Sequence, residues 1–182
     1  MLDCTLCSDL PLGPKPIFQL DEQTKILIVG QAPGRLTHLK GRPFDDPSGE
    51  RLRDWLAIDR SLFYTDPRIG IFPMGLCFPG TGSGGDLPPR KICAASWRSK
   101  VMQSLANVEL VLVLGAYAIA WHLPEFKGKS VSEAVKLSSS GNKGYFVLPH
   151  PSPRNNRWLK QNAWFESDVL PLLKTSVQKA LS

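Results

Sequence analysis

The sequence predicts an α/β fold of three layers, with helices on both sides of a central, mostly parallel sheet. Two apolar runs, residues 26–29 and 110–114, each end directly on a glycine. Unbroken apolar runs of this length indicate strands that are buried on both faces. Segments with helical spacing separate the expected strands, and this alternation is typical of parallel, doubly wound sheets.

Length and composition predict one domain over residues 1–182. The chain has 182 residues, of which 42% are hydrophobic, enough for a single core. No stretch approaches the roughly 18 consecutive apolar residues of a membrane span, and no basic region followed by an apolar run marks a secretory signal. We therefore expect a cytoplasmic monomer with reduced cysteines and no membrane association. The net charge of +6 favours a polyanionic partner.

The remaining elements are assigned in chain order. Residues 1–24 are expected to form an irregular lead-in that holds Cys4 and Cys7. The pattern then predicts a polar loop (35–47), a helix (47–58), a short strand (69–72), a Gly/Pro-rich loop (77–89) and a helix (88–105). Two more helices (116–123 and 130–137), a last strand (145–148) and a helical tail (158–181) follow.

The loops after the first and last strands have the most constrained backbones. In the first, Pro33 fixes its own φ and Gly34 can adopt a φ that is closed to other residues. In the second, prolines alternate with other residues from Pro149 to Pro153. Open α/β sheets place their chemistry at the carboxyl ends of strands. We therefore expect both loops to lie at the same edge of the sheet.

Three motifs in these regions resemble those of the uracil-DNA glycosylase superfamily. Gly30-Gln-Ala-Pro-Gly34 and His150-Pro-Ser152 resemble its two motifs, in the expected order. Gly41-Arg-Pro-Phe44 is similar to the segment that supplies a base-stacking phenylalanine in the iron–sulfur (family 4-like) branch. His150-Pro-Ser-Pro-Arg-Asn155 also resembles the loop of the single-strand-selective branch. The resemblance covers Cys4 to about Trp164.

The resemblance implies a monofunctional DNA glycosylase with the superfamily's three-layer fold. Such an enzyme hydrolyses the N-glycosidic bond of uracil, or of another deaminated base, in base excision repair. The resemblance further implies that the protein has DNA as its partner and is associated with the nucleoid. No catalytic metal is expected for this reaction.

The resemblance also assigns roles to individual residues. His150 would donate a hydrogen bond to the departing base as negative charge collects on it. Phe44 would stack against the flipped base, which Gly30, Gln31 and Ala32 would also contact. Gln31 is in addition a catalytic candidate, because its amide would meet the base or the attacking water. Of the other histidines, His122 is expected at a helix end and His38 in a polar loop.

Two further sets of residues belong to the predicted site. The DNA-binding set lies on the loop that would enter the minor groove, where its basic members could also contact phosphates: Pro151, Ser152, Arg154 and Asn155. Asp46, together with Asp45, is the carboxylate nearest to Phe44 in sequence and is a candidate for positioning the catalytic water. Capping of the helix after Pro47 is an equally compatible role for Asp46.

The sequence departs from the superfamily pattern at three places. Ala32 stands where several branches have Asp or Asn, and Gln31 where the iron–sulfur branch has Glu. Residues 69–76 also lack the Asn that reads uracil in that branch. A catalytically weak or inactive protein that binds damaged DNA is therefore the alternative. An unrelated nucleotide-binding α/β protein fits less well, because no dinucleotide fingerprint or P-loop is present.

Four cysteines remain: a C-x2-C pair, Cys4 and Cys7, followed by Cys77 and Cys93. Their spacing resembles the ligand set of the [4Fe–4S] cluster in the iron–sulfur branch, and thiolates are the usual ligands of such clusters. Zinc would also accept four thiolates, and a vestigial site without metal is the third possibility.

Overall fold

The computed structural model describes residues 1–139 and 144–182, and a four-stranded parallel sheet forms its centre. In chain order the strands are β1 (Ile26–Val29), β2 (Ile69–Ile71), β3 (Thr81–Gly82), β4 (Gly85–Asp86), β5 (Leu110–Leu114) and β6 (Tyr145–Leu148). The central sheet has the order β2-β1-β5-β6, and β3 and β4 form a separate antiparallel hairpin. Every residue of β1 and β5 is buried, as the unbroken apolar runs predict.

Helices flank the sheet, and the predicted fold class is confirmed. They are α1 (Arg35–Lys40), α2 (Pro47–Leu56), α3 (Arg60–Thr65), α4 (Lys91–Ser104), α5 (Ala116–His122), α6 (Val131–Ser139), α7 (Asn156–Gln161) and α8 (Leu170–Leu181). Helix α8 contacts β1 and β5 and also packs against α2, while α5 contacts β5 and α6 contacts β6. Of the helices in the described residues, none combines the length and apolar character that crossing a bilayer needs.

Three local predictions were wrong or incomplete. The segment predicted as a polar loop, residues 35–47, begins with helix α1. In this helix the apolar residues face solvent and polar residues are buried. Its Leu36 and Leu39 are 53% and 63% exposed, whereas Thr37 and His38 are buried. Helical periodicity of apolar residues therefore could not reveal it, and the assignment of His38 to a polar loop was wrong. Helix α3 was also missed, although Asp59 caps it by accepting from Leu62 N–H.

The loops after β1 and β6 meet at the carboxyl edge of the sheet, as predicted, because all four central strands are parallel. The β3–β4 hairpin, within the segment predicted as an extended loop, joins them there. Gly34 does not use the φ range expected of it, since its φ is −75°. A Cβ at this position would instead lie 3.3 Å from Asp86 Oδ2. The glycine therefore leaves space for the hairpin.

Candidate active site

A cavity of about 530 Å³ opens at this edge of the sheet. The loop after β1 with the start of α1, the segment before α2, the β3–β4 hairpin and the loop after β6 form most of its lining, and Ile17, Ile71 and Pro73 complete it. The predicted site residues that it brings together are Gly30, Gln31, Ala32, Phe44, Asp46, His150, Ser152, Arg154 and Asn155. Pro151 is buried and does not line the cavity.

His150 lines the cavity with a defined protonation state. The backbone N–H of Ser152 donates to His150 Nδ1 over 3.2 Å. Because an N–H group can only donate, Nδ1 carries the lone pair, and the proton of the neutral ring lies on Nε2. Burial lowers the pKa of His150 below its ordinary 6.5, partly opposed by the carboxylates of Asp46 and Asp86. The ring is therefore a neutral Nε2–H donor near pH 7.

The loop that carries His150 is held by hydrogen bonds from two sides. Asn155 Nδ2 donates to the carbonyl oxygen of His150 over 2.7 Å. From α2, the Arg51 guanidinium donates to Ser152 O over 3.0 Å and to Asn156 Oδ1 over 2.7 Å. The orientation of the histidine therefore depends on Arg51. Sequence reasoning missed Arg51, because an arginine on a partly exposed helix carries no local signal of a long-range contact.

Phe44 lies on the cavity wall in a backbone conformation that its surroundings impose. Its φ is +52°, a region that non-glycine residues rarely occupy. Its carbonyl oxygen accepts from Arg53 Nη1 over 3.2 Å, and its ring meets that of Phe63 edge-on, with centroids 6.5 Å apart. A Cβ at Gly49 would lie 1.7 Å from the Phe44 carbonyl oxygen. Only glycine at 49 permits this approach.

The two acidic residues after Phe44 have structural partners. Asp46 is the N-cap of α2, and its Oδ1 accepts from Gly49 N–H over 2.9 Å. The capping role considered for Asp46 is thus confirmed, while a catalytic role stays a prediction. Asp45 is buried and forms ion pairs with Arg60 at 2.6 Å and Lys40 at 3.3 Å. The Arg60 hydrogen bond holds the pKa of Asp45 below its ordinary value.

Gln31 ties the first motif to the hairpin segment. Its side-chain Nε2 donates to Leu87 O over 2.9 Å and to Asp86 O over 3.4 Å. Across the cavity, Arg154 Nη1 donates to Gly84 O over 3.4 Å. The hairpin therefore contacts both motif loops, and Asp86 lines the cavity with them. Sequence reasoning missed Asp86 because the surrounding Gly-rich run predicted only an extended loop.

The wall contributed by residues 69–76 is apolar. Ile71 and Pro73 are the residues of this stretch that line the cavity. Neither side chain can form a hydrogen bond with the edge of a base. The absence of a uracil-reading Asn in the sequence is therefore not compensated from this stretch.

The four cysteines surround a second, smaller cavity, lined by Cys4, Cys7, Cys77 and Cys93 together with Arg90. We call this region the cysteine corner. The N–H of Leu76 donates to Cys93 Sγ over 3.3 Å, and the backbone of Lys15 donates to Cys77. Burial raises the pKa of Cys93, and the nearby thiols of Cys7 and Cys4 raise it further.

Four thiols with backbone N–H donors to sulfur fit an iron–sulfur cluster in kind, since such clusters are held by four Cys thiolates and tuned by hydrogen bonds to sulfur. Within residues 1–139 and 144–182, no group of three or more ligating side chains is close enough together to hold a metal ion. The structure thus gathers the cysteines predicted as ligands without placing them in a ligand geometry.

Comparison with known proteins agrees with the fold described above. A solution NMR structure of a provisionally assigned uracil DNA glycosylase from Methanosarcina acetivorans superposes with a TM-score of 0.51 and 19% sequence identity. The match covers 88% of this chain and 97% of that one, and at this identity it concerns the fold alone. The family model of the Uracil DNA glycosylase superfamily matches residues 17–174. The chain therefore belongs to the uracil DNA glycosylase superfamily.

Proposed function

We propose that the protein is a monofunctional DNA glycosylase that hydrolyses the N-glycosidic bond of uracil or another deaminated base in DNA. One observation carries this proposal: His150 is held by Ser152 N–H as a neutral Nε2–H donor on the wall of a cavity that Phe44 shares. A cavity with a hydrogen-bond donor and an aromatic face suits a base that has left the stack.

This arrangement supplies what the departure of the base requires. As the bond between C1′ and the base nitrogen breaks, its electron pair moves to the base, and negative charge collects on a carbonyl oxygen. A preoriented donor such as His150 Nε2–H stabilises this charge in the transition state. The donor is the neutral ring, because burial disfavours an imidazolium at this position.

DNA is the partner that the loop after β6 favours. Arg154 and Asn155 lie at the cavity rim, and the chain carries a net charge of +6. Contacts from such residues to phosphates and sugars position a protein on DNA without reading its sequence. We propose that this loop enters the gap that the flipped base leaves.

The test compares His150→Ala and Phe44→Ala with the parent protein. Excision is followed as strand nicking after alkali, on oligonucleotides that contain uracil, hypoxanthine or xanthine. His150→Ala should slow excision by about a hundredfold or more, the scale of losing one oxyanion-type donor, and should change DNA affinity far less. Phe44→Ala should weaken affinity and rate together, because stacking captures the base before the reaction. An unchanged excision rate in His150→Ala would contradict the assignment of His150 as the donor to the departing base.

A protein that binds damaged DNA without excising a base is the second candidate. The apolar wall of Ile71 and Pro73 favours it, because an apolar wall alone discriminates poorly between bases. A parent protein that binds deaminated DNA but excises none of the three bases would establish this function instead.

For the cysteine corner we propose a [4Fe–4S] cluster held by Cys4, Cys7, Cys77 and Cys93, with zinc or no metal as the alternatives. The support is the donor set and its shared cavity. Such a cluster would brace the lead-in and α4 beside the DNA. The hydrolysis itself requires no redox chemistry.

A further inference from the structure

We infer that Asp86, on the β3–β4 hairpin, is the carboxylate that orients and deprotonates the attacking water. This inference rests on the proposed glycosylase function and adds a residue from outside the sequence motifs. The first motif has no acid of its own between Gly30 and Gly34, so a carboxylate for the water must come from another segment.

Among the described residues that line the cavity, two are acidic, Asp46 and Asp86. Asp46 is committed to the N-terminus of α2, where its Oδ1 accepts from Gly49 N–H. The Asp86 carboxylate accepts from Thr81 Oγ1 over 3.4 Å, and it forms no ion pair within the part of the chain that the structure describes. Its carboxylate is therefore the less committed of the two.

The backbone of Asp86 is held where its side chain reaches the first motif. Gln31 Nε2 donates to the carbonyl oxygen of Asp86. On the side-chain side, Asp86 Oδ2 lies 3.3 Å from where a Cβ of Gly34 would be. A Cβ would crowd this oxygen, and the glycine, whose φ of −75° does not itself require a glycine, leaves the space open. Gln31 thus holds the backbone of Asp86, and Gly34 leaves room for its carboxylate.

The carboxylate is also close enough to His150 to act on it electrostatically. Asp46, and after it Asp86, oppose the lowering of the histidine's pKa that burial causes. The donor for the departing base and a carboxylate for the water therefore share one cavity. Two groups of opposite function, an N–H donor and a proton acceptor, are what a hydrolytic displacement requires.

A carboxylate at this place has a cost for DNA binding. It lies in a cleft that would face phosphates, in a chain whose net charge is +6, and like charges repel. A residue there for affinity alone would be neutral or basic. DNA affinity therefore does not account for the acid at this position.

The step balances as follows. The bond from C1′ to the base nitrogen breaks, and its electron pair leaves with the base, whose charge His150 Nε2–H stabilises. The water oxygen forms the new bond to C1′, and the proton that it loses passes to the Asp86 carboxylate and then to solvent. The departing base takes a proton from solvent, so one water is consumed and no redox partner is needed.

The test measures single-turnover excision and DNA affinity in Asp86→Asn, which keeps the side chain's size and removes its charge. Excision should fall by about a hundredfold, the lower end of the range for general acid–base catalysis. Affinity for lesion-containing duplex should stay the same or increase, because a negative charge facing the phosphates is gone. A purely structural role would lower rate, affinity and melting temperature together and would overturn the inference.

Two comparison variants complete the experiment. Ser83→Ala changes an exposed residue in the turn of the same hairpin and should excise at the parent rate. Asp46→Asn keeps a capping side chain, since Asn caps as well as Asp, and removes the other acid from the cavity. A slow Asp46→Asn beside an unaffected Asp86→Asn would move the role to Asp46. Should the parent excise none of the tested bases, the glycosylase proposal falls, and this inference with it.

Discussion

The candidate active-site cleft and the cysteine corner are built by different means. In the cleft, the protein's own hydrogen bonds orient the side chains: Ser152 N–H holds the His150 ring, and Arg51 holds its loop. In the cysteine corner, four thiols come from three separate segments and share one cavity. The backbone donors there, from Leu76 and Lys15, reach Cys93 and Cys77.

This difference shows what fixes the side-chain positions in each region. The cleft is preorganised by the fold, as catalysis by fixed donors requires. The corner has the right donors without the ligand geometry among the described residues, so its final arrangement would depend on what binds there. Substitutions in the cleft should therefore alter the excision rate of a protein that still folds. Substitutions in the corner should instead decide whether a metal or cluster binds there at all.

The largest expected effect concerns the corner. Protein purified without oxygen should be brown, with absorption near about 400 nm from thiolate-bound iron. Cys77→Ala should lose the colour and the iron, because one of four ligands is gone, while His150→Ala should retain both. Absorption spectra and iron analysis measure this. A colourless, iron-free parent would remove the cluster proposal, and zinc analysis would then separate the two alternatives.

The next effect concerns the preorganisation of the cleft. Arg51→Met should slow excision by roughly ten- to a hundredfold, because a displacement of about 1 Å in a catalytic group can cost that much. Arg51→Lys keeps the charge but loses the forked contact with Ser152 and Asn156 and should recover only part of the rate. Full activity in Arg51→Met would show that the loop does not depend on this contact.

A smaller effect tests the helix that carries Cys93. Arg98 of α4 is buried, and its Nη1 lies 2.9 Å from His122 Nε2. Burial, followed by the charge of Arg98, lowers the pKa of His122 to about 3. The unfolded chain takes up this proton below about pH 6.5, whereas the folded protein does so only near pH 3. Stability should therefore fall as the pH drops from 6.5 towards 3.

His122→Gln isolates this contribution, since its amide can accept from Arg98 but does not titrate in that range. Urea unfolding at pH 7 and pH 4.5 should show a smaller loss of stability on acidification for this variant than for the parent. The parent's excess loss should be on the order of a few kcal/mol. Equal losses in the two proteins would mean that His122 is protonated in the folded state.

Local pattern was sufficient for much of the fold. The runs of β1 and β5 are buried at every position, because an apolar run in a parallel sheet reports burial on both faces directly. Gly30 and His150 share one cavity because they follow β1 and β6, and parallel strands bring their carboxyl ends to one edge; Phe44 reaches the same cavity from the segment before α2. The burial of both runs and the shared edge needed only residue type and order along the chain, whereas the roles of Phe44 and His150 came from the resemblance to the superfamily.

Only the tertiary structure decided the rest. Helix α1 turns Thr37 and His38 inward and its leucines outward, so its pattern opposes its packing. The contacts of Arg51 with Ser152 and of Asp86 with the first motif join residues far apart in sequence. Local pattern reports the backbone state and burial of a segment. Which distant side chain meets which loop depends on how the segments pack, and that is set by the whole core.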